Sequence, residues 1–189
     1  MRLIIRLLIA SLVSVIVLTG SLSRSSADGT ILRARAVISG VDGSGISGEV
    51  QFFQARTGVP AETLIIARVE GLAPNSVHGF HLHELGVCAP PGFTAAGGHY
   101  DPGPNGNSSP DGNHPFHMGD MPNLRANDKG VAVFEHVTSR VTIADGPLSL
   151  FDTDGSAVIV HANEDQGTTG VPGGSGGPRI ACGVITKLP

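Results

Sequence analysis

No apolar run in the chain reaches the roughly 18 residues that a membrane-crossing helix needs. The N-terminal run, Leu7 to Leu18, is further broken by Ser11 and Ser14, which argues against a membrane anchor. Positive charge is scarce. Against 16 Asp plus Glu stand 12 Lys plus Arg, a net charge of −4, and so acidic a surface argues against nucleic acid as a partner. Tryptophan is absent and tyrosine occurs once, while Gly fills 27 positions and Pro 13 of the 189. Such a chain is full of turns and leaves little room for long helices. Cysteine occurs only as Cys88 and Cys182.

What is present begins with a leader. Arg2 and Arg6 precede the apolar run, and the small residues Ser25-Ser26-Ala27 follow it, the three parts of a secretory signal. Residues 1–27 are therefore expected to be a signal peptide and residues 28–189 one domain starting near Asp28. No cysteine follows Gly20 to accept a lipid. Loss of Arg2, Arg6 and Arg24 leaves 9 of the 12 basic residues against 16 acidic ones, or −7. The protein is expected to be exported to a periplasmic, cell-surface or extracellular site. In such an oxidising compartment Cys88 and Cys182 read as one structural disulfide. The loop of about 95 residues that it closes corresponds to roughly 4 kcal/mol in the chain-entropy model.

Seven β-prone runs recur between turn clusters: 31–39, 49–56, 63–69, 78–84, 131–138, 157–162 and 180–186. Several alternate apolar with polar residues, as in Arg33-Ala34-Arg35-Ala36-Val37, the period of a half-buried strand. With no helical segment to cross over a parallel sheet, the pattern predicts an all-β antiparallel sandwich or barrel. Two long stretches, 86–127 and 164–178, lack strand character, and loops of that length inside a domain are functional or disordered. The first holds three of the 8 histidines, His99, His114 and His117. The second, Gly-rich, joins a histidine strand to a cysteine strand and reads as an active-site loop.

His81 and His83 stand at i and i+2 of a strand-like run, so both imidazoles leave one face of the sheet. An isolated His-x-His pair is usually a solvated face. The rest of the set raises its meaning: His99 in GGHYDP, His114, His117 and Asp120 in GNHPFHMGD, and His161 after the apolar AVIV. Imidazole suits copper and zinc, and carboxylate suits zinc, so the pattern predicts a metal site.

GFHLHELG, AGGHYDP, HMGDMPN and GGPRIACGVI resemble, in order and approximate spacing, the motifs of the copper-zinc superoxide dismutases. The resemblance spans the chain after the leader. It implies an eight-stranded Greek-key β-sandwich with two functional loops, copper and zinc as cofactors, and superoxide as substrate. It makes His81, His83 and His161 copper ligands and His99 the imidazolate shared with zinc, and gives His117 and Asp120 to zinc. Asp165 matches a carboxylate that hydrogen-bonds ligands of both metals, and Arg179 matches the arginine that guides the anion. Cys88–Cys182 matches the family's disulfide, and His78 a histidine near the site that is not a ligand. His99 is implied to leave copper on reduction, take a proton and return it when peroxide forms. Members include monomers and dimers built through different surfaces, so a homodimer stays open.

One departure matters. The family has a further zinc histidine between His99 and His117, where this chain reads GPNGNSSPDGN and Asn107 lies closest to the slot. His114 is the available substitute, which would complete a three-His, one-Asp site. The rivals are a copper-only enzyme, or a weakened zinc site with His114 exposed in its loop. A copper-binding or metal-delivery protein on the same fold is the alternative of another class. His136 matches no ligand position and reads as a surface residue. Asn107-Ser108-Ser109 is also a formal glycosylation sequon. The loop 164–178 contains no lysine, so steering of superoxide is expected to rest mainly on Arg179.

Overall fold

The computed structural model describes residues 31–56, 61–103 and 106–189; the expected leader, 1–27, lies outside the described residues. The chain forms β1 (Ile31–Gly40), β2 (Ser47–Ala55), β3 (Thr63–Glu70), β4 (Val77–His78), β5 (Phe80–His83), β6 (Leu124–Arg125), β7 (Ala132–Thr138), β8 (Ala157–His161) and β9 (Arg179–Lys187). Among the described residues the one helical element is a single 3₁₀ turn, Thr94–Ala96.

Period-two alternation does the folding work in β1 to β3. In β1, Ala34, Ala36 and Ile38 are buried while Arg33 and Arg35 point away from the core, and β3 buries Ile65, Ala67 and Val69. These side chains meet Phe52, Phe80, Leu82, Leu150, Val158 and Val160 in the main core. Strand β8 breaks the alternation and is buried throughout. The reason is a second apolar cluster on its other side, where Ile159 and Ala157 meet Phe93, Ala96 and Cys182. Residues after β5 therefore cover β8 and β9 as a flap, and the Cys88–Cys182 disulfide fastens it there.

Seven strands form one sheet in the order β5-β8-β9-β1-β2-β3-β7, and β4 pairs with β6 separately. Every ladder is antiparallel. The connections from β3 to β5 and from β7 to β8 jump across the sheet instead of joining neighbours, the Greek-key habit of β-sandwiches. The seven β-prone runs of the sequence correspond to the seven strands of the large sheet. Where an eighth strand was expected, the described residues add two short ones: the run 78–84 divides at Gly79, and its first part, in β4, pairs with β6.

Candidate metal centre

Strand β5 supplies the floor. Phe80 and Leu82 enter the core, so His81 and His83 face the opposite side, where they are wholly buried. Isolated antiparallel bridges set His83 beside His99 and His81 beside Asp120, which brings two loop segments alongside the strand. Gly119 makes that approach feasible: its amide donates to the carbonyl of Tyr100 at 2.7 Å, and a Cβ there would sit 2.4 Å from the Leu82 carbonyl oxygen. His161 ends β8. The register of β8 against β9 shifts after Val160, so that His161 faces Arg179. Such irregularities at strand ends re-aim side chains, here the guanidinium toward the histidines.

Four nitrogens converge from these elements: His81 Nδ1, His83 Nε2, His99 Nε2 and His161 Nε2. Each is buried with no hydrogen-bond partner, and their residues offer ligand atoms within 4.8 Å of one another. A buried polar atom without a partner is costly and rare in a folded protein, so four pointing together mark a cation site. All four rings are fixed through the other nitrogen, His99 by Asp120 Oδ1 at 2.6 Å from its Nδ1. His81 Nε2 donates to Asp165 Oδ2 at 2.8 Å, His83 Nδ1 to the Gly97 carbonyl at 3.1 Å, and His161 Nδ1 to the Gly177 carbonyl at 2.8 Å. Those bonds set the tautomer that leaves the inner lone pair free. Burial is the first cause that holds these rings neutral: it lowers His83 well below the ordinary value, His99 to about 4 and His161 to about 3, with neighbouring histidines adding to the fall.

A second group shares His99. Its ligand atoms, with those of His114, His117 and Asp120, lie within 4.8 Å of one another. Asp120 binds the set together: Oδ1 is 2.6 Å from His99 Nδ1, and Oδ2 is 2.9 Å from His117 Nδ1 and 3.2 Å from His114 Nδ1. Three imidazoles and one carboxylate make a fitting donor set for zinc. Here the electrostatics run the other way. Burial alone would lower His114, but hydrogen bonds and charge from Asp120 and Asp165 outweigh it and raise the ring to about 9. His117 is raised by Asp120 in the same way, and the three histidines hold the Asp120 carboxyl far below the usual range despite its burial.

His114 Nε2 bonds Asp165 Oδ1 at 2.6 Å, so Asp165 links a ring of the first group to a ring of the second. His81, His114 and Asp165 also form a third close group. Its contacts are hydrogen bonds through the outer nitrogens, which leaves the inner ones to the two groups above. His114 is 0% exposed, unlike the loop-exposed rival. Asn107 is exposed, its amide donating to Asp101 and its Oδ1 accepting from Ser109, and it joins neither group. His78 is buried beside the site with Nδ1 on the His161 carbonyl at 2.7 Å. His136, read as a surface residue, is half-buried against Phe134, with ring centroids 6.0 Å apart.

Arg179 donates to the carbonyls of Phe93 and Gly97, at 2.8 and 2.5 Å. The Gly97 oxygen thus serves Arg179 and His83 together. Glu84 holds the same turn by accepting from the Gly98 amide at 2.8 Å. Asn123 forms two reciprocal bonds of 2.9 Å with the backbone of Asp165. Reasoning from the sequence gave no role to Asn123, Glu84 or Gly97. Asn123 stood in the quoted motif HMGDMPN, but its partner is 42 residues away and invisible to local pattern.

A family model described as copper/zinc superoxide dismutase matches residues 46–185. A superoxide dismutase [Cu-Zn] of Aquifex aeolicus is 38% identical over 173 residues, 89% of this chain and 96% of that protein. One from Caulobacter vibrioides is 38% identical over 157 residues, 80% of this chain and 84% of that protein. Among solved structures, a double mutant of a SOD-like protein from Bacillus subtilis superposes with a TM-score of 0.63 at 28% identity, covering 79% of this chain and 95% of that one.

Proposed function

The chain belongs to the copper/zinc superoxide dismutase family, and from that membership we propose how its own side chains divide the work. It is an oxidoreductase that converts superoxide to oxygen and hydrogen peroxide, and its metals are copper and zinc. We assign copper to His81 Nδ1, His83 Nε2, His161 Nε2 and His99 Nε2, and zinc to the Nδ1 atoms of His99, His114 and His117 with Asp120. The observation that carries this division is the convergence of four buried, partnerless imidazole nitrogens beside a carboxylate-centred group that shares one ring.

When bound, copper supplies the one-electron exchange, oxidising one superoxide and reducing the next, while zinc has no redox change of its own. Two superoxide anions and two protons give one oxygen and one hydrogen peroxide, so the site must handle protons as well as electrons. His99 is the residue placed for this. Its Nδ1 is held on the Asp120 side while Nε2 faces the other three histidines, so Nε2 is the atom that takes up a proton and passes it to the reduced product. Asp165 and the Gly97 and Gly177 carbonyls keep His81, His83 and His161 aimed inward meanwhile. Arg179 draws the anion to the opening, with its guanidinium held by two carbonyls.

The protein is exported in this reading. A three-part leader in residues 1–27, a Cys88–Cys182 disulfide and a resemblance to an extracellular superoxide dismutase of Onchocerca volvulus support it. A non-catalytic copper carrier would have no use for Arg179 beside His161. Superoxide consumption by the protein reconstituted with copper and zinc, beside His83→Ala treated alike, tests the assignment. Rapid decay in the first and background decay in the second is expected; equal activity in both would overturn it.

A further inference from the structure

The stretch Val171-Pro172-Gly173-Gly174-Ser175-Gly176-Gly177 has the composition of a flexible spacer. Yet Gly174, Ser175 and Gly176 are buried, and Gly177 carries the carbonyl that receives His161 Nδ1 at 2.8 Å. Gly176 lies directly on that histidine: its φ is +101°, and a Cβ there would fall 2.8 Å from His161 Cβ. A segment this rich in glycine loses much backbone entropy on ordering, so something must hold it.

The holding group is Asp111, four residues after Asn107 on the zinc-side loop. Its carboxylate accepts from the Gly173 amide and from Ser175 Oγ, both at 3.2 Å, and its carbonyl accepts from the Gly170 amide at 2.5 Å. From Gly173 the chain continues inward. The Gly173 carbonyl accepts from the Gly176 amide at 3.1 Å, and the Gly176 carbonyl accepts from the Asn163 amide at 3.0 Å. Nearby, Thr169 Oγ1 donates to the His114 carbonyl, a second clasp between the two loops.

We infer that Asp111 is a positioning residue for the reaction: by clasping Gly173 and Ser175 it seats the glycine-rich stretch over the site, so that the Gly177 carbonyl keeps His161 turned toward copper. The inference rests on the assignment of His161 to copper made above. It gives the zinc-side loop a hold on a copper-side ring that is independent of Asp165.

Asp111→Ala, Asp111→Asn and Ser175→Ala, each in the copper- and zinc-loaded protein, test it by amide hydrogen exchange and by the cupric EPR spectrum. In Asp111→Ala the Gly173 and Gly176 amides should exchange at least about tenfold faster while the β2–β3 amides are unchanged, in keeping with local rather than global opening. The cupric line shape should shift with them. Asp111→Asn, which keeps one acceptor oxygen, should fall between, and Asp111→Ala/Ser175→Ala should match Asp111→Ala alone. Unchanged exchange at Gly173 and an unchanged spectrum would overturn the inference, as would equal acceleration in β2–β3. If Asp111→Ala does not fold, Asp111→Asn and Ser175→Ala decide it by the same two readouts. A wild-type spectrum without imidazole nitrogen couplings would defeat the copper assignment instead, and leave the exchange result standing.

Discussion

The two halves of the proposed metal centre, one assigned to copper and one to zinc, solve opposite problems. The copper side is built of rings whose inner nitrogens have nothing to bond, held at their outer nitrogens by Asp165 and the Gly97 and Gly177 carbonyls. On the zinc side hydrogen bonds and charge from Asp120 outweigh burial and raise His114 and His117, with Asp165 adding to the rise at His114. One half is poised for an ion at the cost of buried unsatisfied groups. The other leaves orphans too, His114 Nδ1 and His117 Nε2, but gathers its rings around the Asp120 carboxylate. His99, with Nδ1 on Asp120 and Nε2 among the orphans, belongs to both.

The strongest way to break the contrast is to remove a copper-side ring. His161→Ala should lower dismutase activity by at least about a thousandfold, ~4 kcal/mol at about 1.4 kcal/mol per tenfold, with zinc content retained. Steady-state superoxide decay and metal analysis on one sample check both parts. Loss of zinc together with copper would mean that the halves are not separable.

Next in size is the carboxylate that joins them. Asp165→Asn should weaken metal affinity by roughly 10- to 100-fold, as removal of such outer partners commonly does. Both metals should be affected, because Asp165 holds His81 and His114 alike. Competition with a chelator measures this, and weakening of only one metal would show that the link is one-sided.

Acid stability of the metal-free protein sharpens the electrostatic side. His99 near 4 and His161 near 3, with His83 also lowered, all sit below their unfolded value of 6.5. Below pH 6.5 the unfolded chain therefore binds protons that the folded one refuses, and stability falls as pH drops toward 4. Each such proton contributes about 1.4 kcal/mol per pH unit. His114 behaves inversely. Raised to about 9, it contributes stability that is complete below pH 6.5 and lost as pH rises through 9. Zinc must displace that proton, so its affinity should climb with pH up to about 9. Denaturant melts across pH and zinc titrations at pH 6 and 8 check the two signs.

The smallest effect concerns steering. Arg179→Ala should slow the reaction by about tenfold, at the low end of what local field focusing gives. In the unsubstituted protein added salt should lower the rate little. The loop 164–178 has no lysine, and Arg125 at the rim faces Glu164 at 3.8 Å. A steep fall with ionic strength would contradict this.

How much of this was legible in the sequence depends on the range of the interaction. The strands were, because alternation such as Arg33-Ala34-Arg35-Ala36-Val37 is a local signal of one buried face. His81 and His83 were, because i and i+2 share a face whatever the rest of the fold does. The division of the run 78–84 at Gly79 was not, since it depends on β4 finding β6 some 45 residues later. Asn123 and Asp111 were equally hidden: each acts on the glycine-rich loop mainly through backbone groups at long sequence range, which leave no mark in local side-chain pattern. His136, read as a surface residue, is partly exposed and shares the Phe134 face of β7, as i and i+2 must.

His114 decides whether the second group holds zinc: it is the ring that the Asn107 slot lacks, and it lies between Asp120 and Asp165. Metal analysis of the purified protein beside His114→Ala, with activity measured on both, tests it most directly. Copper and zinc are expected in the first, and copper retained with zinc lost in the second. Zinc kept at full stoichiometry in His114→Ala, or copper alone in the unsubstituted protein at full activity, would contradict it.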